Sequence, residues 1–506
     1  RFAMGDAWLA WGLVLPATLL LLLATAPLLP LSWDEPNAIV RAERLNVWIG
    51  LWMQRASDAP APWEGEAIRD LCPYTTQHEG HPAGYGLVMA LGRRLASGWL
   101  PERESWRFGP MLLFAIAAAA LFRRLLCEFA AAPDSPPSNP IAARASIAAV
   151  LFVPLLLTQP RLFAHVHYAS LDGPLTAAWM LTLATFDAAR RSVSGIIVWG
   201  LCLGLTLSIK FTGWFAPVAF IIWCGAYFDV RGLAACLLGG NIALATFCLL
   251  NPPLWGTPEQ GFAEFLALNL HRGEIGLNIP TLFLGEVYNL DHPPPWYSTL
   301  AWICFTVPPL TLGLATLGAV AAVREWRSRR FPVLVLLNAL VLIVIRALPW
   351  SPSHDAERLF LPAFAFLACL GGLGGARWIA STGGSVWRRR AVQGALLLAV
   401  AAATAEVAWY TPQWLGYYSP LIGGQRGAAA MELEPTYYWD GLDREVWDWL
   451  GDHADESSLV ALRATPDYAT IVRRQERLAF RVRGQLAPEA DWWIVQNRPG
   501  FMTLWE

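Results

Sequence analysis

The sequence predicts an all-α polytopic membrane protein of about 11 transmembrane helices, with a small C-terminal outer α/β domain. Three observations predict it. The 506 residues are 55% hydrophobic and only 15% charged, against roughly 25% charged in an average soluble domain. The apolar residues also gather into eleven runs, each near the roughly 17 to 25 residues that cross a bilayer as a helix. After residue 411 the composition turns polar and mixed.

In chain order the apolar runs lie near residues 7–31, 107–126, 142–160, 173–189, 193–210, 213–229, 232–250, 298–322, 331–348, 357–380 and 391–410. No small-residue cleavage site follows the first, so it reads as a retained helix. A further stretch, HPAGYGLVMALGRRLA from His81, is shorter and carries Arg93 and Arg94. The basic clusters at Arg123 and Arg124, Arg190 and Arg191, Arg231, Arg324 to Arg330, and Arg388 to Arg390 belong on the cytoplasmic side by the positive-inside rule. If residues 81–98 spanned, every later helix would flip and all these clusters would face outward. The stretch is therefore expected in the outer interface or dipping partway into it.

That parity puts loops 32–106, 161–172, 251–297 and 349–356, and everything after 411, on the outer side. Residues 1–410 read as the membrane domain and 411–506 as a non-cytoplasmic α/β domain. In loop 32–106, IVRAERLNVWIGLWM keeps apolar residues at helical spacing, with Arg41, Glu43 and Arg44 on the other side, as an interfacial helix does. EQGFAEFLALNLHRGEIG in loop 251–297 reads the same way. In the terminal domain LDREVWDWLGDHA predicts a helix, SSLVALRA and ADWWIVQN predict strands, and RRQERLAFRVRG can supply another.

A formal charge of -2 offers no basic face for nucleic acid. The eight cysteines show neither metal-type spacing nor a disulfide ladder, and only Cys72 falls in a polar loop. Lys210 is the sole lysine and ends an apolar run, where it either serves a site or snorkels to the interface.

Titratable groups converge on the outer side. Seven of the eight histidines fall in outer loops of the membrane domain or at their edges, namely His78, His81, His165, His167, His271, His292 and His354. Asp34, Glu35, Asp172, Glu274, Asp291, Asp355 and Glu357 share that side. Two carboxylates at the mouth of a membrane helix, Asp34 and Glu35 in LSWDEPN, are costly to place unless they meet water, a metal or a substrate. Asp172 starts the fourth span, where Asp before Gly and Pro is also a good helix start. Arg358 opens the tenth span beside His354 and Asp355; it reads as an interface anchor or as a phosphate ligand. Trp63, Trp255 and Trp296 in outer loops suit sugar faces or the interface belt.

In order, WDEP, HPAG, RLFAHVHYASLDGPL, GLTLSIKFTGW, HPPPWYSTLAWICFTVPP and HDAERLFLPAFAFLACLGGLG resemble the GT-C membrane glycosyltransferases over roughly residues 7–380. The branch they look most similar to is glycosyltransferase family 39, the protein O-mannosyltransferase and aminoarabinose-transferase type, although HPAG lacks that family's usual double proline. The resemblance implies the GT-C fold, a polyprenyl-phosphate-linked sugar donor, and inverting transfer on the non-cytoplasmic face to a protein, lipid or glycan acceptor. It implies an inner-membrane protein whose site faces the periplasm or exterior. It carries over to Asp34 as the central acid, with Glu35 as its partner and Asp172 as the second-loop acid. Lys210 and Arg358 match basic positions able to meet the lipid phosphate, and Arg161 is a further candidate to bind it.

The chemistry of the residues agrees. An attacking hydroxyl needs a base, which Asp34 can be, and a phosphate leaving group needs cations, which Lys210 and Arg358 can be. Further contacts to substrate or metal are expected from His81, His165, His167, His292, His354 and Asp355. A divalent cation held by Asp34 and Asp172 would do similar work, the oxygens suiting Mg or Mn and the histidines suiting Zn. The competing reading is a transporter or flippase of lipid-linked or small polar substrates, but such proteins place key charges mid-span at broken helices. A non-catalytic sugar-binding or assembly protein on the same fold is the third.

Overall fold

The computed structural model describes residues 7–53, 60–128, 140–271, 279–351, 356–383, 385–434, 441–462, 466–476, 478–484, 487–495, 498 and 500. Apolar chain with no water to bond must satisfy its own backbone, and all eleven predicted runs are helical. The chain runs through α1 (Leu9–Leu28), α2 (Glu35–Met53), α3 (Gly65–Leu71), α4 (Gly84–Ala96), α5 (Glu102–Glu128) and α6 (Pro140–Leu157). It continues through α7 (Pro160–His167), α8 (Asp172–Ala189), α9 (Val193–Ile209), α10 (Ala216–Ala226), α11 (Val230–Leu250) and α12 (Pro258–Leu270). A hairpin of β1 (Thr281–Phe283) and β2 (Glu286–Tyr288) leads to α13 (Ser298–Thr306), α14 (Pro309–Arg324), α15 (Arg330–Arg346), α16 (Pro362–Ala380), α17 (Val386–Trp409) and α18 (Gly424–Ala430). Five of these helices, α1, α5, α11, α16 and α17, are individually long and apolar enough to cross a membrane, six if α6 and α7 count as one bent span.

Prolines divide several of the runs that the sequence presents as continuous. Gln159, before Pro160, is extended, and α7 leaves α6 at 74°. The expected connector at 161–172 is therefore largely a buried helix. The eighth run likewise breaks at Val307 and Pro308 into α13 and α14. Helix α16 is the central post, with 78% of its apolar window buried, whereas α17 has 11% buried and presents an apolar surface all round, as a lipid-facing helix does.

Helix α4 covers the short stretch from His81 and packs on α5 rather than joining the long spans. At its start a Cβ on Gly84 would stand 2.5 Å from the Ser208 carbonyl oxygen, so glycine lets HPAG close onto the end of α9, two residues before Lys210. The loop ahead of α4 is pinned by Asn251, whose Oδ1 accepts from Thr75 Oγ1 and Ala83 N, each at 2.8 Å. Cys72 is buried there, and burial pushes its thiol up to about 12.

After α17 the chain first returns to the bundle core, with Trp414, Leu415, Tyr418 and Leu433 packed among its helices. It then forms α19 (Arg444–His453), β3 (Leu459–Leu462), α20 (Pro466–Glu476), β4 (Arg481–Arg483) and β5 (Trp492–Ile494). Asp443 caps α19 by accepting from the Val446 N–H. The strands form a parallel sheet in the order β4-β3-β5. The small terminal α/β unit and the two expected strands are as the sequence predicts; RRQERLAFRVRG supplies both the end of α20 and β4.

Candidate active site

Four charged side chains from four separate parts of the chain form one line. Lys210 stands at the end of α9 with extended backbone, and its Nζ donates to Asp172 Oδ1 at 2.7 Å. Asp172 is the first residue of α8, and its Oδ2 accepts from Arg358 Nε at 3.0 Å. Arg358 lies in a 3-10 turn, Ala356–Phe360, ahead of α16, and its Nη1 donates to Asp34 Oδ2 at 3.2 Å. Asp34 occupies the bend between α1 and α2. From Asp172 to Asp34 the exposure rises, from 1% for the Asp172 side chain to 26% for Asp34. Both oxygens of Asp172 serve the cations, so its side chain binds charge rather than capping α8.

Glu35, one residue on, is built differently. Its carboxylate takes Arg107 bidentately, Nε to Oε1 and Nη2 to Oε2, both at 2.7 Å. It also accepts from Ala169 N at 2.9 Å and Ser32 N at 3.3 Å. Arg107 spends its remaining donors on the carbonyls of Ala26, Leu29 and Pro30. Both side chains are completely buried. The clamp ties the Asp34 bend to α5 and to the turn that leads into Asp172. Arg107 was not among the sequence candidates; a lone arginine opening the second apolar run was its one signal.

Arg161 is likewise held by buried partners. Its Nη1 meets Glu357 Oε1 at 2.6 Å, its Nε donates to the Tyr417 carbonyl, and its guanidinium lies over the Tyr418 ring, with the ion pair fully buried. His167 joins Thr25 Oγ1 through Nε2 at 2.8 Å and the Phe163 carbonyl through Nδ1, and stacks on Trp414, fastening α1 to α7. His165 is buried within the electrostatic reach of Asp172, Arg358, Lys210 and Arg161. His81 pairs with Glu79 at 3.1 Å, and Glu79 meets Arg41 at 3.8 Å, on the loop next to Lys210. His292 packs against Tyr288 in the exposed turn after the hairpin. The candidates His354 and Asp355 lie outside the described residues.

The described side chains do not make a divalent-cation set. No three of His, Cys, Asp and Glu come together among the described residues. Asp34 and Asp172 are joined through Arg358, with Lys210 on the far oxygen of Asp172.

The wall beside Arg358 comes from elsewhere in the chain. Thr281 and Phe283 of the hairpin, Trp302, Arg346, Leu359 and Phe360 line a cavity there. Arg346 donates to Thr212 Oγ1 and Ser351 Oγ and lies within electrostatic reach of Lys210. The hairpin is strapped by Glu434, which meets Arg498 Nε at 3.5 Å and lies within electrostatic reach of the backbone of Gly500 and Leu282. Arg498 reaches on to the Pro280 carbonyl at 3.2 Å. Burial, opposed by Arg498, pushes the Glu434 carboxyl up to about 7.

The bundle of apolar helices with a small terminal α/β unit has the GT-C fold. Among solved structures it is similar to ArnT from Cupriavidus metallidurans bound to undecaprenyl phosphate, at TM-score 0.50 and 13% identity over 94% of this chain and 86% of that one. The same enzyme in the apo state gives TM-score 0.50 and 13% identity over 95% and 86%. The archaeal oligosaccharyltransferase AglB from Archaeoglobus fulgidus, in complex with an inhibitory peptide and a dolichol-phosphate, gives 0.48 and 12%, covering 94% of this chain and 65% of that one. No protein-family model matches the sequence, and no curated protein matches it. ArnT is a family 83 enzyme; the GT-C fold expected from the sequence is the fold found, and the family 39 assignment is an approximation.

Proposed function

We propose that this protein is a membrane glycosyltransferase that moves a sugar from a polyprenyl-phosphate donor to an acceptor hydroxyl on a protein, lipid or glycan, with inversion. The observation that carries the reading is Arg358, which bridges a partly exposed carboxylate, Asp34, and a buried carboxylate–lysine pair, Asp172 and Lys210. The line holds two acids and two cations, balanced in the resting state. A donor phosphate competes for Arg358 and Lys210, and Asp34 is then released from its arginine to act as base.

In the transfer step the acceptor oxygen forms a bond to the anomeric carbon and its proton passes to Asp34. The bond from that carbon to the phosphate oxygen breaks, and the lipid phosphate leaves with its electron pair. Cations fixed beside the leaving group stabilise the growing charge at no cost in reorganisation. The positive-inside parity of the helices supports a site on the periplasmic or outer face of the cytoplasmic membrane.

The test is transfer from a synthetic polyprenyl-phosphate sugar by the protein in lipid nanodiscs. Product formation that Asp34→Asn abolishes is the expected result. Movement of a lipid-linked or small polar substrate across proteoliposomes, with no sugar consumed, would establish a transporter instead.

A further inference from the structure

The terminal α/β unit reaches the bend that carries Asp34 through α20 and through the loop before α19, where a Cβ on Gly441 would stand 2.2 Å from the Leu31 carbonyl oxygen. Tyr468 on α20 is fully buried, and its ring centroid lies 5.3 Å from that of Trp33, the residue before Asp34. Glu35 and Arg103 lie within its electrostatic reach. Ala38, Ile39 and Ala42 of α2 belong to the same hydrophobic core as Tyr468, Ile471 and Val472 of α20 and Val460 and Leu462 of β3. A domain joined only by its linker would keep a core of its own.

Around this contact runs a rim of ion pairs. Arg474 Nη2 meets Glu43 Oε1 at 2.6 Å and Glu102 Oε1 at 2.5 Å, so one guanidinium joins α2, α5 and α20. Arg103 Nη1 meets Glu476 Oε1 at 3.1 Å. Partly exposed pairs of this kind add little strength, but they fix which way the helix lies, much as charge complementarity fixes register at interfaces.

We propose that α20 is a positioning element of the candidate active site, with Tyr468 holding Trp33 and, through it, the Asp34 carboxylate. The bend that carries Asp34 has no helix of its own to orient it. The Glu35–Arg107 clamp fastens it from one side and the Trp33–Tyr468 contact from the other. Tyr468 is a positioning residue and touches no reacting atom. The proposal rests on the glycosyltransferase reading and adds a role for the terminal domain.

The full-length protein in nanodiscs is compared with Tyr468→Phe, Tyr468→Ala and Arg474→Glu. Tyr468→Phe keeps the ring and is expected to keep wild-type kcat. Tyr468→Ala and Arg474→Glu are expected to lower kcat by about 10- to 100-fold through misplacement of the base, with KM for the donor unchanged and faster hydrogen exchange at residues 31–35. Unchanged kcat in a folded Tyr468→Ala, or a loss confined to KM, overturns the proposal. If Tyr468→Ala does not fold, Arg474→Glu decides, and unchanged exchange at residues 31–35 overturns it. Asp34→Asn is assayed alongside: if it still transfers sugar the glycosyltransferase reading fails, whereas the exchange data test the contact without reference to activity.

Discussion

Asp34 and Glu35 are neighbours in sequence and opposites in construction. Glu35 is completely buried and accepts four hydrogen bonds, two of them from one arginine. Asp34 keeps 26% of its side chain exposed and reaches Arg358 at 3.2 Å. A carboxylate saturated by fixed donors cannot bind a ligand cheaply, because any new partner must displace a good one. A carboxylate at the rim, sharing a cation with a second acid, can change partners when an anion arrives. The difference divides the acid pair into a structural member and a reactive one.

Neutralising each member in turn tests that division. Asp34→Asn is expected to lower transfer by about 10²- to 10⁴-fold, the usual worth of a positioned general base, with an unchanged melting temperature; transfer near wild type would remove Asp34 from the chemistry. Arg107→Ala is expected to act on stability instead, because it strands the buried Glu35 charge, at about 3–5 kcal/mol. A thermal melt in detergent checks this, and a variant that melts normally would mean that the clamp does not hold the bend.

Lys210→Met sharpens the cation side. It leaves Asp172 with Arg358 alone and removes a charge-assisted bond, so roughly tenfold weaker donor affinity is expected. A titration with donor analogue reads the change, and a loss of kcat without a change in affinity would place Lys210 in the transition state only.

The smallest effect concerns the wall rather than the line. The Glu434 carboxyl, pushed up to about 7, binds its proton more tightly in the strapped hairpin than when released to water, where it returns to the ordinary carboxylate range. Protonation therefore favours the strapped form, and that contribution is lost as pH rises from the ordinary range through about 7. Amide exchange across Thr281–Tyr288, corrected for its chemical pH dependence, should rise over that window in the wild type. It should stay flat in Glu434→Gln, and equal pH dependence in both proteins would show that another group controls the strap.

Most of the architecture was readable from hydropathy and charge. Eleven apolar runs became helices, the interfacial segment after Asp34 became α2, and the stretch from His81 became the short α4 packed on α5. The breaks were harder to see, since the sequence shows Pro160 and Pro308 but not how far the chain turns at them. Within the site, Asp34, Asp172, Lys210 and Arg358 were all named from the sequence and stand in one line. Arg161 and His167, also named as candidate contacts, stand in buried contacts with Glu357 and Thr25. Residue type and loop position are the same for both groups, so nothing local distinguished them.

By itself the sequence determined an apolar bundle with an acid at the end of the first run, because bilayer length and the cost of buried charge act on short stretches of chain. Which charge meets which was decided only in three dimensions. Arg358 reaches Asp34 across 324 positions and Arg107 reaches Glu35 across 72. Helix packing sets those meetings, and packing depends on every side chain along the interface rather than on any motif.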